Sequence, residues 1–228
     1  MNSGESLTGR ATEEARLKEE LRTASASFRK KKSRHWLSTK DVIYCAFSTP
    51  GFSVRRDEAQ RDATRRLEQF GVRPEDIRGK RVLDLGCNNG AILFQISNHA
   101  PASGLGIEFD PDKVELARRI AAFTGIGRLE FRVGDLDQLE ARDIGGPFDV
   151  VLCLAIEAHV QKPDHLYRLL AGVTRGMLLF EANASTASKD VIAELARVGF
   201  KDVRHLGSCD DDIVPRNNRR PIFTARMD

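Results

Sequence analysis

Residues 82–90, Val-Leu-Asp-Leu-Gly-Cys-Asn-Asn-Gly, restrict what this chain can fold into more than any other stretch. Lys80 and Arg81 lead into an apolar run too short for a core helix, which predicts a strand buried on both faces of a parallel sheet. Gly86 and Gly90 then remove the Cβ atoms that would hold a ligand away from the backbone. A helix beginning near Ala91 offers free N–H groups and a positive dipole end to an anionic group. Asp84, at the strand's tip, can meet an ammonium or hydroxyls. Such a turn suits a ligand with a charged head and a nucleoside tail.

The same strand-to-helix rhythm continues to the end of the chain. Strands are expected at 103–108, 129–133, 148–154 and 177–181, and helices at 91–99, 111–123, 163–173 and about 187–198. Two late strands, 202–206 and 221–225, flank a polar loop. Alternation of this kind predicts an α/β fold with a doubly wound parallel sheet covered on both faces. Ligands of such sheets lie beyond the carboxyl ends of the strands. Those ends carry Asp84, then Glu108 and Phe109, then Asp135 and Leu136, then Leu154, Ala155, Glu157 and His159, and finally Glu181. An acid ending the second strand can accept both ribose hydroxyls of a nucleoside. One ending the third can accept from an adenine amino group, and Phe109 gives the base a flat face.

Residues 1–77 read as a helical, partly disordered extension and substrate lid, and 78–228 as the ligand-binding domain. Residues 1–10 are small and polar and are expected to be irregular. Leu17, Leu21, Ala24 and Phe28 form one helical stripe. The basic run Arg29 to Lys32 with Arg34 reads as a solvated helix end, or as a site for phosphate in RNA or in a small acidic acceptor; it lacks the interleaved aromatics of a nucleic-acid surface. Trp36, Tyr44, Phe47 and Phe52, gathered around a Thr-Pro-Gly turn, are either a lid over a pocket or cover for the sheet edge. Residues 57–70 predict a helix with Ala59, Ala63, Leu67 and Phe70 inward and Arg61, Arg65 and Arg66 elsewhere on it, closed by Gly71. No apolar run approaches the length of a membrane span, and residues 1–10 lack a signal peptide's layout. Four scattered cysteines without a CxxC pair fit a reducing cytoplasm. A net charge of +3 is too small to argue for nucleic acid by itself.

Two nucleoside cofactors fit these acids, and the glycine turn separates them. A dinucleotide site wants G-x-G-x-x-G for its pyrophosphate. Here there is G-x-x-x-G led by Asp84, which repels a pyrophosphate and attracts an amino acid's ammonium. The pattern resembles motif I of class I S-adenosylmethionine-dependent methyltransferases, with Asn88 where that family has its second glycine. Asn tolerates a left-handed backbone, so the turn survives. The resemblance runs on through Glu108, Asp135 and the strand at 148–151. It implies a Rossmann-like seven-stranded sheet with a C-terminal antiparallel β-hairpin, and S-adenosylmethionine as cofactor. It also implies roles: Asp84, Gly86, Cys87, Asn88 and Gly90 around the methionine part, Glu108 and Phe109 at ribose and adenine, Asp135 and Leu136 at the adenine edge. Leu154 and Ala155 would line the methyl-transfer channel. Weaker similarities are to tRNA wobble-uridine carboxymethyltransferases, at 61–62, 79–84 and 162–166, and to O-antigen chain-capping phosphate methyltransferases, at 219–223.

Methyl transfer needs an acceptor held in line and a base for its proton. His159 is the leading base, or else a packing residue at the next helix; Glu157 and Glu181 are alternatives, and no metal is expected. Trp36, Tyr44, Arg55, Glu181, Arg216 and Arg220 are the expected substrate contacts. The arginines lean towards an acidic acceptor, although Asp210 to Asp212 could neutralise those of the late loop. The expected reaction is methylation of an oxygen on a small polar or anionic molecule such as a sugar, phosphate or natural-product intermediate. A tRNA acceptor and a non-catalytic cofactor-binding partner protein are the other readings.

Overall fold

A computed structural model of the chain describes residues 3–32 and 42–227, with side chains from residue 9 to 25 in the first stretch and, in the second, at all but Arg216. Trp36 and Arg34 lie outside the described residues, as do the side chains of Phe28 and of Arg29 to Lys32. Helix α1 (Ser3–Lys32) takes in residues 3–10 of the stretch expected to be irregular. Pairs one turn apart, Arg16 with Glu13 at 2.7 Å and Lys18 with Glu14 at 3.0 Å, support its outward side. Leu17 and Leu21 are fully buried and dock it.

Strands β1 (Ile43–Thr49) and β2 (Phe52–Val54) form an antiparallel hairpin over the Thr-Pro-Gly turn, where Gly51 has φ +80°. Strand β3 (Ala59–Asp62) pairs with β1 in parallel, completing a small sheet of order β2-β1-β3. Helix α2 (Ala63–Gln69) follows, its N-terminus capped by the Asp62 carboxylate, which accepts from the Arg65 N–H at 3.1 Å. The helix expected over 57–70 is therefore a strand in its first half. Arg61 and Arg66, expected away from the core, are buried. Two acids distant in sequence, Glu181 for both and Asp211 for Arg61, make their burial tolerable.

The short helix α3 (Pro74–Ile77) leads into the main alternation. Its members are β4 (Arg81–Leu85), α4 (Ala91–Ser97), β5 (Ser103–Glu108), α5 (Pro111–Thr124), β6 (Leu129–Val133), α6 (Ala141–Ile144), β7 (Phe148–Leu154), α7 (Pro163–Val173), β8 (Thr174–Glu181), α8 (Ser188–Arg197), β9 (Lys201–Ser208) and β10 (Pro221–Arg226). The seven-stranded sheet has the order β6-β5-β4-β7-β8-β10-β9. Its first five members are parallel, and β10 runs antiparallel to both β8 and β9. The strand order reverses at β4, which has β5 on one side and β7 on the other, so a crevice opens at its carboxyl end. The small sheet is joined to the large one by phenylalanines. Phe52, Phe47, Phe94 and Phe131 succeed one another at centroid spacings of 5.7, 5.2 and 5.4 Å. Phe47 and Phe52 are thus cover for the sheet, while Tyr44 on the same hairpin faces a cavity. Among the described residues no helix is long and apolar enough to cross a membrane.

Candidate functional site

The crevice at the end of β4 widens into a cavity of about 890 Å³. Its floor is the turn after β4. Gly86, Asn88 and Gly90 all adopt left-handed backbones, with φ of +76°, +52° and +78°. The turn folds back on β5, since Gly86 and Cys87 donate to the Ile107 carbonyl at 2.8 and 3.0 Å. A methyl on Gly86 would overlap the end of the Ile156 side chain on a backbone at φ +76°, so a larger residue needs both a strained backbone and a shift of Ile156. The Glu108 carboxylate accepts from the Asn88 N–H at 2.9 Å and the Asp110 N–H at 3.1 Å, which fixes it at the rim. Phe109 stands beside it with 71% of its surface exposed, an apolar face left uncovered among the described residues. At the tip of β6, Asp135 accepts from the Asp137 N–H at 2.9 Å while Leu136 forms the wall next to it.

Of the residues expected to hold a cofactor, Gly86, Asn88, Glu108, Phe109, Asp135, Leu136, Leu154 and Ala155 line this one cavity. Asp84, at the end of β4, and Cys87 and Gly90, within the turn, do not. Asp84 is 2% exposed; burial pushes its carboxyl up to about 7, against the pull of Arg66 and with the push of Glu108. Burial also raises the Cys87 thiol well above its usual range, so it offers no thiolate. Ala155 has φ +62° and donates its N–H to the Glu181 carbonyl at 2.7 Å, which presents its methyl group in a conformation rare for a residue with a Cβ.

The residues expected to touch an acceptor divide. His159 lies on the cavity wall, at the end of a single 3-10 turn (Glu157–His159), and its side chain is exposed. Glu157 does not line the cavity: its carboxylate accepts from the Tyr167 hydroxyl at 2.8 Å and the Thr186 hydroxyl at 3.0 Å. Tyr44 and Arg220 line it; Arg55 is exposed, paired with Asp57, and away from it. The backbone of Arg216 belongs to a 3-10 turn (Pro215–Arg219).

Glu181 is fully buried beside the cavity, inside a cluster of charges. Arg66 donates to its Oε2 from Nε at 2.9 Å and from a second nitrogen, and Arg61 donates to its Oε1 at 3.2 Å. Arg61 also donates to Asp211 at 2.7 and 3.0 Å. Burial alone would raise both acids; Arg66 and Arg61 outweigh it, holding Glu181 below its usual range and Asp211 at about 2. The acids of the late loop are thus paired with arginines of β3 and α2, Asp211 with Arg61 and Asp210 with Arg65, while Arg220 reaches Glu181. The sequence reading missed this cluster and three cavity residues it brings in, Gln60, Asp212 and Asn217. Two complementary runs, Arg61-Arg65-Arg66 and Asp210-Asp211-Asp212, were the signal for it. Helix α1 adds Ala24 and Ser25 to the wall and α5 adds Lys113.

Comparison with known proteins bears on what this cavity holds. A family model described as methyltransferase domain matches residues 77–206. The ubiquinone biosynthesis O-methyltransferase of Neisseria meningitidis serogroup C is 34% identical over 110 residues, 46% of this chain and 44% of that protein. The mitochondrial ubiquinone biosynthesis O-methyltransferase of Schizosaccharomyces pombe is 32% identical over 124 residues, 53% of this chain and 42% of that one. The matches span less than half the length of these curated relatives. Among solved structures, the N-terminal domain of EvdMO1 with SAH bound superposes with a TM-score of 0.58 at 18% identity, covering 90% of this chain and 96% of that one; it shares the fold. A domain match over more than half of the chain, on the sheet order and glycine turn described above, makes this chain a member of the class I S-adenosylmethionine-dependent methyltransferases.

Proposed function

We propose that the chain binds S-adenosylmethionine on the tips of β4, β5 and β6 and methylates an oxygen of a small polar or anionic molecule, with residues 1–77 capping the acceptor side. The observation that carries this reading is the single cavity. It joins Glu108, Phe109 and Asp135 to a second, polar wall made by Ser25, Tyr44, Gln60, His159 and Arg220. At about 890 Å³ it is near the top of the roughly 300–1,000 Å³ range of ligand pockets, which suits two ligands side by side. The residues fit the cofactor: an exposed phenyl for adenine, a pinned carboxylate for ribose hydroxyls, and a left-handed turn that lets a ligand lie against backbone. When bound, the cofactor supplies a methyl group on a positively charged sulfur. The chain's part is to hold the acceptor hydroxyl in line beside Ala155 and to take its proton, for which His159 is placed on the wall. The O-methyltransferase relatives support oxygen as the acceptor atom.

The test is incubation of the protein with methyl-labelled cofactor and a cell extract separated into small molecules and RNA. Label is expected in the small-molecule fraction, with release of S-adenosylhomocysteine. In His159→Ala, turnover on that fraction should fall by about 10²-fold or more at unchanged S-adenosylhomocysteine affinity. Label in RNA alone, or tight cofactor binding without release from either fraction, would overturn the reading.

A further inference from the structure

The polar wall of the cavity has a charge pattern that narrows the acceptor's chemistry. Arg220 is the one guanidinium lining the cavity among the described residues, and its side chain is 19% exposed. It precedes β10, whose pairing with β8 sets Ile222 opposite Glu181 and brings the guanidinium to the buried acid cluster. Its own contacts there are long. It reaches the Glu181 Oε1 at 3.4 Å and the Asn217 Oδ1 at 3.3 Å, through one N–H at each end of the fork. Glu181 is already held more closely by Arg61 and Arg66. Two contacts leave three of the five guanidinium donors for something else.

Lys113 is a second cation of the cavity; Asp212, the acid that shares Asn217 with Arg220, cannot be that partner. Its oxygens accept from the Val214 N–H at 2.7 Å, the Asn217 amide at 2.8 Å and the Gln60 amide at 3.1 and 3.2 Å, and Arg61 lies 3.6 Å away. A saturated carboxylate neither satisfies Arg220 nor takes a hydroxyl from a ligand. What the wall presents is a half-satisfied, largely desolvated planar cation. That geometry matches the two in-plane oxygens of a carboxylate better than a neutral hydroxyl.

Resting on the methyltransferase reading above, we infer that Arg220 is the specificity-determining residue of the acceptor site and that the acceptor carries a carboxylate, docked on Arg220 with its nucleophilic oxygen turned towards Ala155. The probe is benzoate, compared with benzyl alcohol and phenyl phosphate, titrated into the full chain saturated with S-adenosylhomocysteine. Benzoate is expected to bind at least tenfold more tightly than benzyl alcohol. Arg220→Gln should erase that difference while S-adenosylhomocysteine affinity stays within about twofold, and Arg220→Lys should restore part of it. If Arg220→Gln fails to fold, Arg220→Lys serves in its place: it keeps the charge, loses the planar fork, and is expected to narrow the benzoate preference at unchanged S-adenosylhomocysteine affinity, a full preference in it overturning the inference. Equal affinity for benzoate and benzyl alcohol overturns the inference, as does a benzoate preference that survives Arg220→Gln. Tighter binding of phenyl phosphate than of benzoate replaces the carboxylate by a phosphate and also overturns it. If S-adenosylhomocysteine itself fails to bind, the cofactor reading falls instead.

Discussion

Asp84 closes β4 with a carboxyl that burial has pushed from 3.8 to about 7. The sign of its effect follows. Between those values the folded chain binds a proton that the unfolded chain has released, so this group's contribution to stability declines as pH rises from about 4 to about 7. A shift of about three units corresponds to about 4 kcal/mol at pH 8. Asp84→Asn is therefore expected to raise the denaturation midpoint of the cofactor-free protein at pH 8 and to change it little below pH 4. A variant less stable at pH 8 would mean that the carboxylate is held by more than the Arg66 field. Gly86, two residues on, fails differently. Its φ of +76° costs a Cβ-bearing residue about 1–2 kcal/mol, and the new methyl would collide with Ile156. Gly86→Ala should lower the melting temperature and cofactor affinity together. Adding Ile156→Ala should return stability more fully than affinity, because the backbone strain at the floor of the cavity remains.

At the level of elements, β3 and α2 are held by buried charge as well as by the apolar face of Ala59, Ala63 and Leu67. Arg61 is fully buried against Glu181, Asp211 and Asp212, whereas Arg65 meets Asp210 with about half of each side chain in water. Removing one partner of a buried pair costs about 3–5 kcal/mol, because the other charge is left uncompensated. An exposed pair is worth under about 1 kcal/mol. Arg61→Ala should therefore destabilise the chain severely in urea unfolding, and Arg65→Ala should barely move the midpoint. Acid offers a second check. The carboxyl of Asp211, depressed from 3.8 to about 2, contributes stability above pH 4 that is lost as pH falls towards 2, and Arg61→Ala should weaken that acid dependence. This cluster also marks where the sequence stops being readable. Strands β5 and β7 keep the bounds expected of them because a buried parallel strand is a largely apolar run between turns, and edge strand β6 does so by alternation, with Leu129 and Phe131 inward and Glu130 and Arg132 outward, both local patterns. The acids ending β5 and β6 follow from that placement. Strand β3 was hidden because Ala59, Ala63, Leu67 and Phe70 keep helical spacing; what makes Arg61 a strand residue is its parallel pairing opposite Cys45 of β1, with its charge met by Asp211, 150 positions away. Gln60 and Asn217 were hidden from the site for the same reason: non-local pairing puts them on its wall.

Over the whole molecule the question is how a cavity walled by two sheets and an N-terminal helix responds to a ligand. Leu17 and Leu21 seat α1 in the core, Ala24 and Ser25 carry it on to the cavity wall, and Arg119 of α5 reaches back to Glu20 at 3.0 Å. Helix α5 starts two residues after Phe109 and gives Lys113 to the same wall. Both helices therefore bound the cavity that a ligand on the tips of β5 and β6 would enter, and anything that binds only the closed arrangement stabilises their docking. Amide exchange in residues 17–25 should slow when S-adenosylhomocysteine binds, although none of the strand-tip residues is nearby in sequence. Leu21→Ala opens a cavity under α1 at a cost of about 2–5 kcal/mol and should weaken that ligand as well, because the wall at 24–25 depends on the seating. Glu20→Ala removes only a partly exposed pair, worth under about 1 kcal/mol, and should leave affinity nearly unchanged. Calorimetry of the two variants separates a coupled wall from a passive cover. Wild-type affinity in Leu21→Ala, at a melting temperature several degrees lower, would show that the helix docks on the fold without shaping the site.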